Sequence, residues 1–289
     1  MEAKELVGRV RTLVSLPEVC MRLNDLLRDE QATADDVAEV LRTDPGLTAR
    51  LLKLVNSALY GLPRRVDTVS RAVALVGMEE IRNLALASSA AEAFRRLPVR
   101  LADMDAFWRH SVYCANLSSV LGAPGRGPGR ERLFVSGLLH DVGWLVLFHE
   151  VPDPTRRVLE EARGDWDNLH RLEHEILGLT HADVGAEILK AWDLPDTLWE
   201  PVAFHHDPQG ASRHPAATAV VHIANGVAAV REPGLLSVDA GPDAPYPVQE
   251  PAWEAAGCAP DRLDEAIPEA NGLFLEAMEA VYSGYAPIY

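Results

Sequence analysis

The sequence FVSGLLHDVG, from residue 134 to residue 143, places an adjacent His140 and Asp141 pair in a run of otherwise apolar residues. The run has the composition of a buried helix, and we expect the pair to lie inside that helix. Two ionisable side chains in an apolar interior are costly unless they are hydrogen-bonded, paired or bound to a cation. The fold must therefore bring other polar side chains to this pair, and histidine and acidic residues are the first candidates.

The rest of the chain has the apolar spacing of amphipathic helices, with residues recurring every three or four positions. Helix starts are predicted at Asp44, which precedes a proline, at Thr33, which forms a capping box with Asp36, and at Thr68 and Thr180. No stretch alternates apolar and polar residues for long enough to form a strand. The sequence therefore predicts an all-α fold.

Clusters of turn-forming residues divide the chain into three predicted parts. Residues 1–97 are predicted to form an N-terminal helical lobe, and residues 98–230 a second helical bundle. The third part, residues 231–289, begins with a segment rich in Pro, Gly and Asp at 231–251. Such a composition predicts an irregular loop, which would cover a pocket or dock a partner. Helical periodicity returns from residue 261 to residue 282, in a helix that we expect to pack back on the body.

Charge and cysteine content exclude several classes of function. The chain has 289 residues and a net charge of -16, which disfavours binding to DNA even though a helix, Gly77 and a second helix follow one another. Cys20, Cys114 and Cys258 are far apart and form no CxxC pair, so a disulfide framework is not expected. No signal-peptide pattern and no run of roughly 18 apolar residues is present. We therefore expect a cytoplasmic protein without a membrane segment.

Histidines are concentrated in the second predicted part. Six of the ten lie in its apolar helices together with Asp141, namely His110, His140, His181, His205, His206 and His222. Imidazole nitrogens with a carboxylate suit iron, manganese, zinc or nickel, and facing helices of a bundle can bring such ligands together. Taken one at a time, each histidine is better explained as a hydrogen-bonded core or surface residue than as a metal ligand. Glu173 and Glu175 precede His181 and are candidates to orient its ring, or are solvated helix charges.

The order of the motifs adds a second line of reasoning. The succession NSALYG, FWRHS, SGLLHDVG, HADVGAEILKAWDLP, FHH and VHIAN resembles the HDOD family, the HD-related output domains of bacterial signalling proteins, over residues 16–230. The resemblance implies an N-terminal helical lobe packed against a degenerate HD-type helical bundle. It also implies a set of metal ligands, consisting of His110, His140, Asp141, His181, His205 and His206. Asn56 and Ser57 match a family signature, and we expect them to cap a helix or to bridge the two lobes.

The chain departs from the HD phosphohydrolase pattern at two positions. Asn225 stands where the superfamily has a final aspartate, and Trp144 stands where the related HD-GYP phosphodiesterases have a lysine. The sequence DPQGAS after His206 also replaces the GYP motif. A site with these changes would hold a divalent cation less tightly, activate water less well and lack a cationic contact to phosphate.

Three functions are compatible with this pattern. The first is a non-enzymatic bacterial signalling or scaffold module that binds a partner protein and holds a metal or ligand in a vestigial pocket. The second is a metal-dependent phosphohydrolase that acts on cyclic dinucleotides or nucleotides through the HD site. The third is a structural role, in which the histidines form only a satisfied polar network in the core. We favour the signalling module because of the departures at Asn225 and Trp144.

Overall fold

The structure, a computed structural model, describes residues 2–29, 31–58, 60–95, 97, 102–122, 129–163, 165–232, 234 and 244–282. Within these ranges the α-helices are α1 (Ala3–Val10), α2 (Glu18–Leu26), α3 (Ala34–Arg42), α4 (Pro45–Val55), α5 (Val69–Val76), α6 (Met78–Arg95), α7 (Met104–Leu121), α8 (Arg130–Leu139), α9 (Val142–Glu150), α10 (Pro152–Ala162), α11 (Trp166–Ile176), α12 (His181–Ala191), α13 (Asp196–Phe204), α14 (Pro215–Arg231), α15 (Glu250–Ala256) and α16 (Leu263–Val281). No strand occurs in the described ranges. The predicted all-α fold is confirmed.

The predicted helix starts are confirmed by their hydrogen bonds. Thr33 accepts from the backbone of Asp36, whose carboxylate accepts from the Thr33 backbone in return. Asp44 accepts from the third residue of α4, Thr68 caps α5, and Thr180 begins α12 with a second capping box. Each cap satisfies backbone N–H groups that have no partner inside the helix. These bounds therefore follow from local chemistry.

Helix α7 lies at the centre of the molecule. It packs against α8, α14 and α16, and its residues from 110 to 121 are all buried. A helix that is buried on every side needs neighbours all around it, which explains why α7 shows no strongly polar face. The first helix, α1, packs against α9 and α12, and the last, α16, packs against α4 as well as α7. The described core is therefore continuous along the chain.

The boundary predicted between residues 97 and 98 adjoins residues 98–101, which lie outside the described residues, as do 233 and 235–243 of the predicted loop at 231–251. The division of the chain into three parts stays a prediction. The structure adds one short helix, α15, which begins inside the predicted loop at Glu250. In the described part of the chain, no helix is both long enough and apolar enough to cross a membrane.

The His140 and Asp141 pair does not lie inside a helix, so that prediction is wrong. Helix α8 ends at Leu139, and α9 begins at Val142, leaving the pair in a sharp turn between them. The turn lets the start of α9 pack against the start of α12 at very short range. A Cβ on Gly143 would lie 1.9 Å from the carbonyl oxygen of His181, so only glycine fits there.

Asn56 closes a loop instead of joining two lobes. Its Nδ2 donates to the carbonyl oxygens of Leu52 and Val66, 2.7 Å away in each case, and its Oδ1 accepts from the backbone N–H of Val66 at 2.6 Å. Ser57 donates to the carbonyl oxygen of Leu54 at 2.6 Å. Asn56 therefore ends α4 and ties the following loop to it, which confirms the expected cap. These bonds all lie within residues 52–66, so they do not form the alternative that was expected, a bridge between the two lobes.

Candidate metal centre

Four parts of the fold bring the predicted ligands together. His110 comes from α7, His181 is the first residue of α12, and His205 and His206 follow the end of α13. The turn between α8 and α9 contributes His140 and Asp141. All six are buried except His206, which is half-buried, and they form two overlapping groups whose candidate ligand atoms lie within 4.8 Å of one another. Asp141 belongs to both groups.

The carboxylate of Asp141 occupies the centre of this cluster. Its Oδ1 lies 3.3 Å from Nε2 of His181 and 3.6 Å from Nε2 of His205. Its Oδ2 lies 3.3 Å from Nε2 of His140 and 3.7 Å from Nε2 of His110. The four imidazoles therefore direct the same ring nitrogen towards one carboxylate.

The opposite ring nitrogens determine the tautomers of three of these histidines. Nδ1 of His110 lies 3.0 Å from the carbonyl oxygen of Glu232, Nδ1 of His140 lies 2.8 Å from that of Gly137, and Nδ1 of His205 lies 2.7 Å from that of Val202. A carbonyl oxygen only accepts, so each Nδ1 carries the proton. A neutral ring then presents the lone pair of Nε2 to the centre, the arrangement of histidines that bind metals.

The imidazole of His181 is held by a carboxylate instead. Oε1 of Glu173 accepts from Nδ1 of His181 at 2.7 Å and from its backbone N–H at 2.8 Å. Both side chains are fully buried. Glu175, the other predicted supporting residue, is exposed and pairs with Arg171. The structure therefore brings only Glu173 to the cluster, because Glu175 lies on the solvent side of α11.

Several atoms of the cluster have unfavourable neighbours unless a cation or proton is present. Nε2 of His181 lies 3.3 Å from Nε2 of His205 and 3.1 Å from Nε2 of His206. Two lone pairs that face each other at this distance repel. In the described part of the chain, Nε2 of His140 and Oδ1 of Asp141 are buried and have no hydrogen-bond partner. A metal ion would satisfy these atoms, so the residues fit the predicted metal.

Protons compete for the same atoms. Burial raises the pKa of Asp141, but the charge of His140 and the close imidazoles of His181 and His205 outweigh it and hold the pKa well below its usual range. Burial opposes a charge on His140, yet Asp141 raises the pKa of that imidazole well above its ordinary value. Burial lowers the pKa of His205 to about 3. Without metal, the centre therefore holds at least one imidazolium paired with the carboxylate.

The two departures from the phosphohydrolase pattern both contact the cluster. Trp144 is buried and stacks on His181, with ring centroids 4.6 Å apart. Oδ1 of Asn225 lies 3.1 Å from Nε2 of His110. An amide oxygen only accepts, so this contact is a hydrogen bond when Nε2 of His110 carries a proton. Asn225 therefore contacts the ring nitrogen that His110 would offer to a metal.

A cavity of about 420 Å³ opens beside the cluster. Its walls are formed by the imidazoles of His170, His206 and His222, by Asn225 and Gly226, and by residues 246–249. None of these lining residues carries a permanent positive charge. His222 belongs to the wall and not to the cluster, since its Nδ1 donates to the carbonyl oxygen of His205 at 2.7 Å. Residues 246–249 belong to the loop predicted at 231–251, and their place in this wall agrees with the expectation that the loop would cover a pocket.

These features define an all-helical protein with a buried histidine and aspartate centre. The HDOD domain family model matches residues 13–208 of this chain. The chain belongs to the HDOD family, as its motifs predicted. The match ends between the His205 and His206 pair and α14, so residues 246–249 lie beyond it.

One further relative matches most of the chain. A protein of Treponema pallidum (strain Nichols) is 23% identical over 225 residues, a match that covers 77% of this chain and 43% of the relative. The chain thus spans less than half of that protein's length.

Solved structures share the fold over nearly the whole chain. A Shewanella amazonensis SB2B protein, provisionally assigned as a phosphohydrolase, has a TM-score of 0.71 and 27% identity, covering 96% of this chain and 97% of its own. An HDOD domain protein of unknown function from Geobacter sulfurreducens has a TM-score of 0.72 and 23% identity, and the match covers 96% of this chain and 98% of the Geobacter chain. At that identity, the second likeness concerns the fold alone.

Proposed function

We propose that this protein is a non-enzymatic HDOD signalling module that binds a divalent transition metal in its histidine and aspartate cluster and acts through contacts with a partner protein. The metal would be held by His140, Asp141, His181, His205 and His206, with His110 at the edge of the set. The proposal that a metal binds here is supported by the convergence of four Nε2 atoms on the carboxylate of Asp141, at 3.3–3.7 Å. Iron, manganese, zinc and nickel all suit such ligands.

The surroundings of the cluster favour binding over hydrolysis. Trp144 stacks on His181, where the HD-GYP pattern would offer a lysine to a phosphate. Among the described residues that line the adjoining cavity there is no arginine or lysine. Asn225 brings a neutral amide in place of a carboxylate. Phosphoryl transfer depends on stabilising negative charge as it develops, and this cavity supplies little beyond the metal itself.

Metal analysis is the first test. The protein would be purified without chelators, and its metal content measured by plasma mass spectrometry. We expect bound transition metal in the wild type and its loss in Asp141→Ala. His149→Ala is a matched control, because His149 is half-buried beside Glu150 at the end of α9 and belongs to neither group of candidate ligands. An empty wild-type site that also fails to take up added iron, manganese, zinc or nickel would contradict the proposal.

Activity assays test whether the protein is non-enzymatic. Metal-loaded protein would be incubated with cyclic dinucleotides and nucleotides, and the products separated by chromatography. We expect no turnover above the rate of His140→Ala protein. Turnover in the range of about 1 s⁻¹ or more, abolished in His140→Ala, would establish an enzyme and overturn the non-enzymatic assignment.

Phosphohydrolase activity is the second candidate because one observation favours it. The cavity of about 420 Å³ borders the cluster directly, with His206 and Asn225 in its wall, so a phosphate could reach a bound metal from there. The similarity to the Shewanella protein supports the same idea. A bound metal would supply an activated water at neutral pH, and Asp141 and the histidines would orient it.

A further inference from the structure

Residues 246–249, here called the strap, lie across the cavity beside the cluster. The strap lies beyond the matched family region, which ends at residue 208. Its backbone is turned by a hydrogen bond from the N–H of Val248 to the carbonyl oxygen of Tyr246, 2.8 Å long. All four strap residues contribute to the cavity wall, together with His206.

Two hydrogen bonds of Gln249 fasten the strap to the segment that carries the ligands. Its backbone N–H donates to Nε2 of His222 at 3.0 Å, and His222 in turn donates from Nδ1 to the carbonyl oxygen of His205 at 2.7 Å. The side-chain amide of Gln249 donates to the carbonyl oxygen of His206 at 2.9 Å. His222 is therefore a relay that joins the strap to the backbone of His205.

The rest of the strap is fitted closely to α14. A Cβ on Gly226 would lie 2.8 Å from the carbonyl oxygen of Pro247 and 2.8 Å from a methyl group of Val248, so the strap can approach only because this residue is glycine. At its other end, Nε of Arg231 donates to the hydroxyl group of Tyr246 at 2.9 Å. Contacts along the length of the strap thus hold it against the cavity.

We propose that the strap controls the access of small molecules to the cavity and retains whatever the cluster binds. The proposal rests on the proposed function only for the identity of the retained ion. The strap itself is defined by contacts that do not involve a metal. Gln249 bonds directly to the carbonyl oxygen of His206, and through His222 to the carbonyl oxygen of His205. Because these bonds join the strap to the segment that carries two candidate ligands, the position of the strap and the position of these ligands are coupled.

Chemical modification of His206 tests the proposal without any metal. Metal-free protein would be treated with diethyl pyrocarbonate, and the rate at which each histidine is modified measured by peptide mass spectrometry. Gly226→Ala pushes the strap away from α14, and Gln249→Ala removes one of its bonds. We expect His206 to react about fivefold faster in either variant, the factor that corresponds to one lost hydrogen bond. His149, half-buried beside Glu150 and outside the cluster, serves as an internal reference with an unchanged rate.

Gly272→Ala is the matched control. This glycine lies in α16, and a Cβ there would meet nothing within 4 Å. The variant therefore makes the same glycine-to-alanine change in a helix as Gly226→Ala, but it displaces no neighbour. We expect His206 to react at the wild-type rate in it. An unchanged rate in Gln249→Ala would overturn the proposal even if Gly226→Ala failed to fold.

Metal release provides the second measurement. In metal-loaded protein, transfer of the ion to an excess of chelator should also be about fivefold faster in Gln249→Ala than in the wild type. If the wild type binds no metal, the proposed function is contradicted, but the modification rates of His206 in metal-free protein still test the role of the strap. A loaded protein that releases metal at equal rates, with His206 equally reactive, would instead contradict the role of the strap.

Discussion

The indole of Trp144 lies flat against the imidazole of His181, with ring centroids 4.6 Å apart and ring planes 16° apart. Both side chains are buried. Trp144→Ala should lower the free energy of unfolding by about 3–5 kcal/mol, the usual cost of a large core cavity, and weaken metal binding because His181 loses its support. Trp144→Phe retains an aromatic face and should recover most of both. Denaturant unfolding and competitive metal titration measure the two effects, and unaltered metal affinity in Trp144→Ala would show that the stack does not position His181.

Much of the fold was predictable because its causes are local. Thr33 and Thr180 cap helices through side chains three residues away from their partners, and such short-range chemistry is visible in the sequence. The turn at His140 and Asp141 was not predictable, because it depends on the contact of Gly143 with a helix about forty residues further along the chain. The strap depends on similarly distant contacts.

The choice between Glu173 and Glu175 was within reach of the sequence. Leu169 and Leu172 are buried on the inner face of α11, and Glu173, four residues after Leu169, shares that face. Glu175 instead stands four residues after Arg171, the spacing of an exposed ion pair. A glutamate on the apolar face of a helix indicates a buried partner, and here that partner is His181.

Glu173→Gln should weaken metal binding without destroying the fold. The amide oxygen can still accept from His181, but the lost charge makes Nε2 of the imidazole a poorer ligand. Replacement of such supporting residues costs about 10–100-fold in metal affinity. Glu175→Gln is the matched control and should bind metal as the wild type does. Competition with a chromogenic chelator gives both dissociation constants, and equal values for the two variants would argue against a role of Glu173 in tuning the metal.

Metal affinity should depend on pH through His181. Burial opposes a charge on this imidazole, but Glu173 and hydrogen bonds to Asp141 outweigh it and raise its pKa to about 9. A metal at Nε2 must displace this proton and also that of His140, whose pKa is raised as well, so affinity increases with pH by about tenfold per unit for each proton released and levels off above the raised pKa values. Titrations at several pH values, each in the same chelator buffer, check this slope, and a flat profile would contradict it.

The metal-free protein should show the opposite trend in stability. A pKa raised in the folded state contributes stability that is fully present below the unfolded value of about 6.5 and is lost as pH rises through the folded value. For His181 the folded value is about 9, so the metal-free protein should lose this contribution between these two limits. Thermal melts with and without metal, followed across the same pH range, should therefore diverge as the pH rises.

Gly143→Ala should be strongly destabilising. The new Cβ would lie 1.9 Å from the carbonyl oxygen of His181 and 2.8 Å from the backbone nitrogen of Gly185, and neither backbone atom can move without separating α9 from α12. We expect a loss of about 3 kcal/mol or more. Gly8→Ala is the control, since a Cβ there meets nothing within 4 Å, and it should stabilise α1 by about 0.5–1 kcal/mol. Urea unfolding compares the two, and a loss below about 1 kcal/mol for Gly143→Ala would mean that the turn adapts easily.

Asn225→Asp tests whether the amide limits the affinity of the metal centre. Asn225 lies 3.1 Å from Nε2 of His110, which is itself 3.7 Å from Asp141, so a carboxylate there would place a second negative charge beside the first. Without metal, the two carboxylates repel, and stability should fall by about 1–3 kcal/mol.

With a divalent cation bound, the same charge becomes attractive, and we expect affinity to rise by about tenfold or more. Asn271→Asp, on the exposed side of α16, adds the same charge far from the cluster and should change neither quantity. Calorimetric titration of both variants with the same metal measures the difference. If Asn225→Asp bound metal no more tightly than Asn271→Asp, position 225 would lie outside the coordination of the metal, and the loss of the superfamily aspartate could not explain a weakened centre.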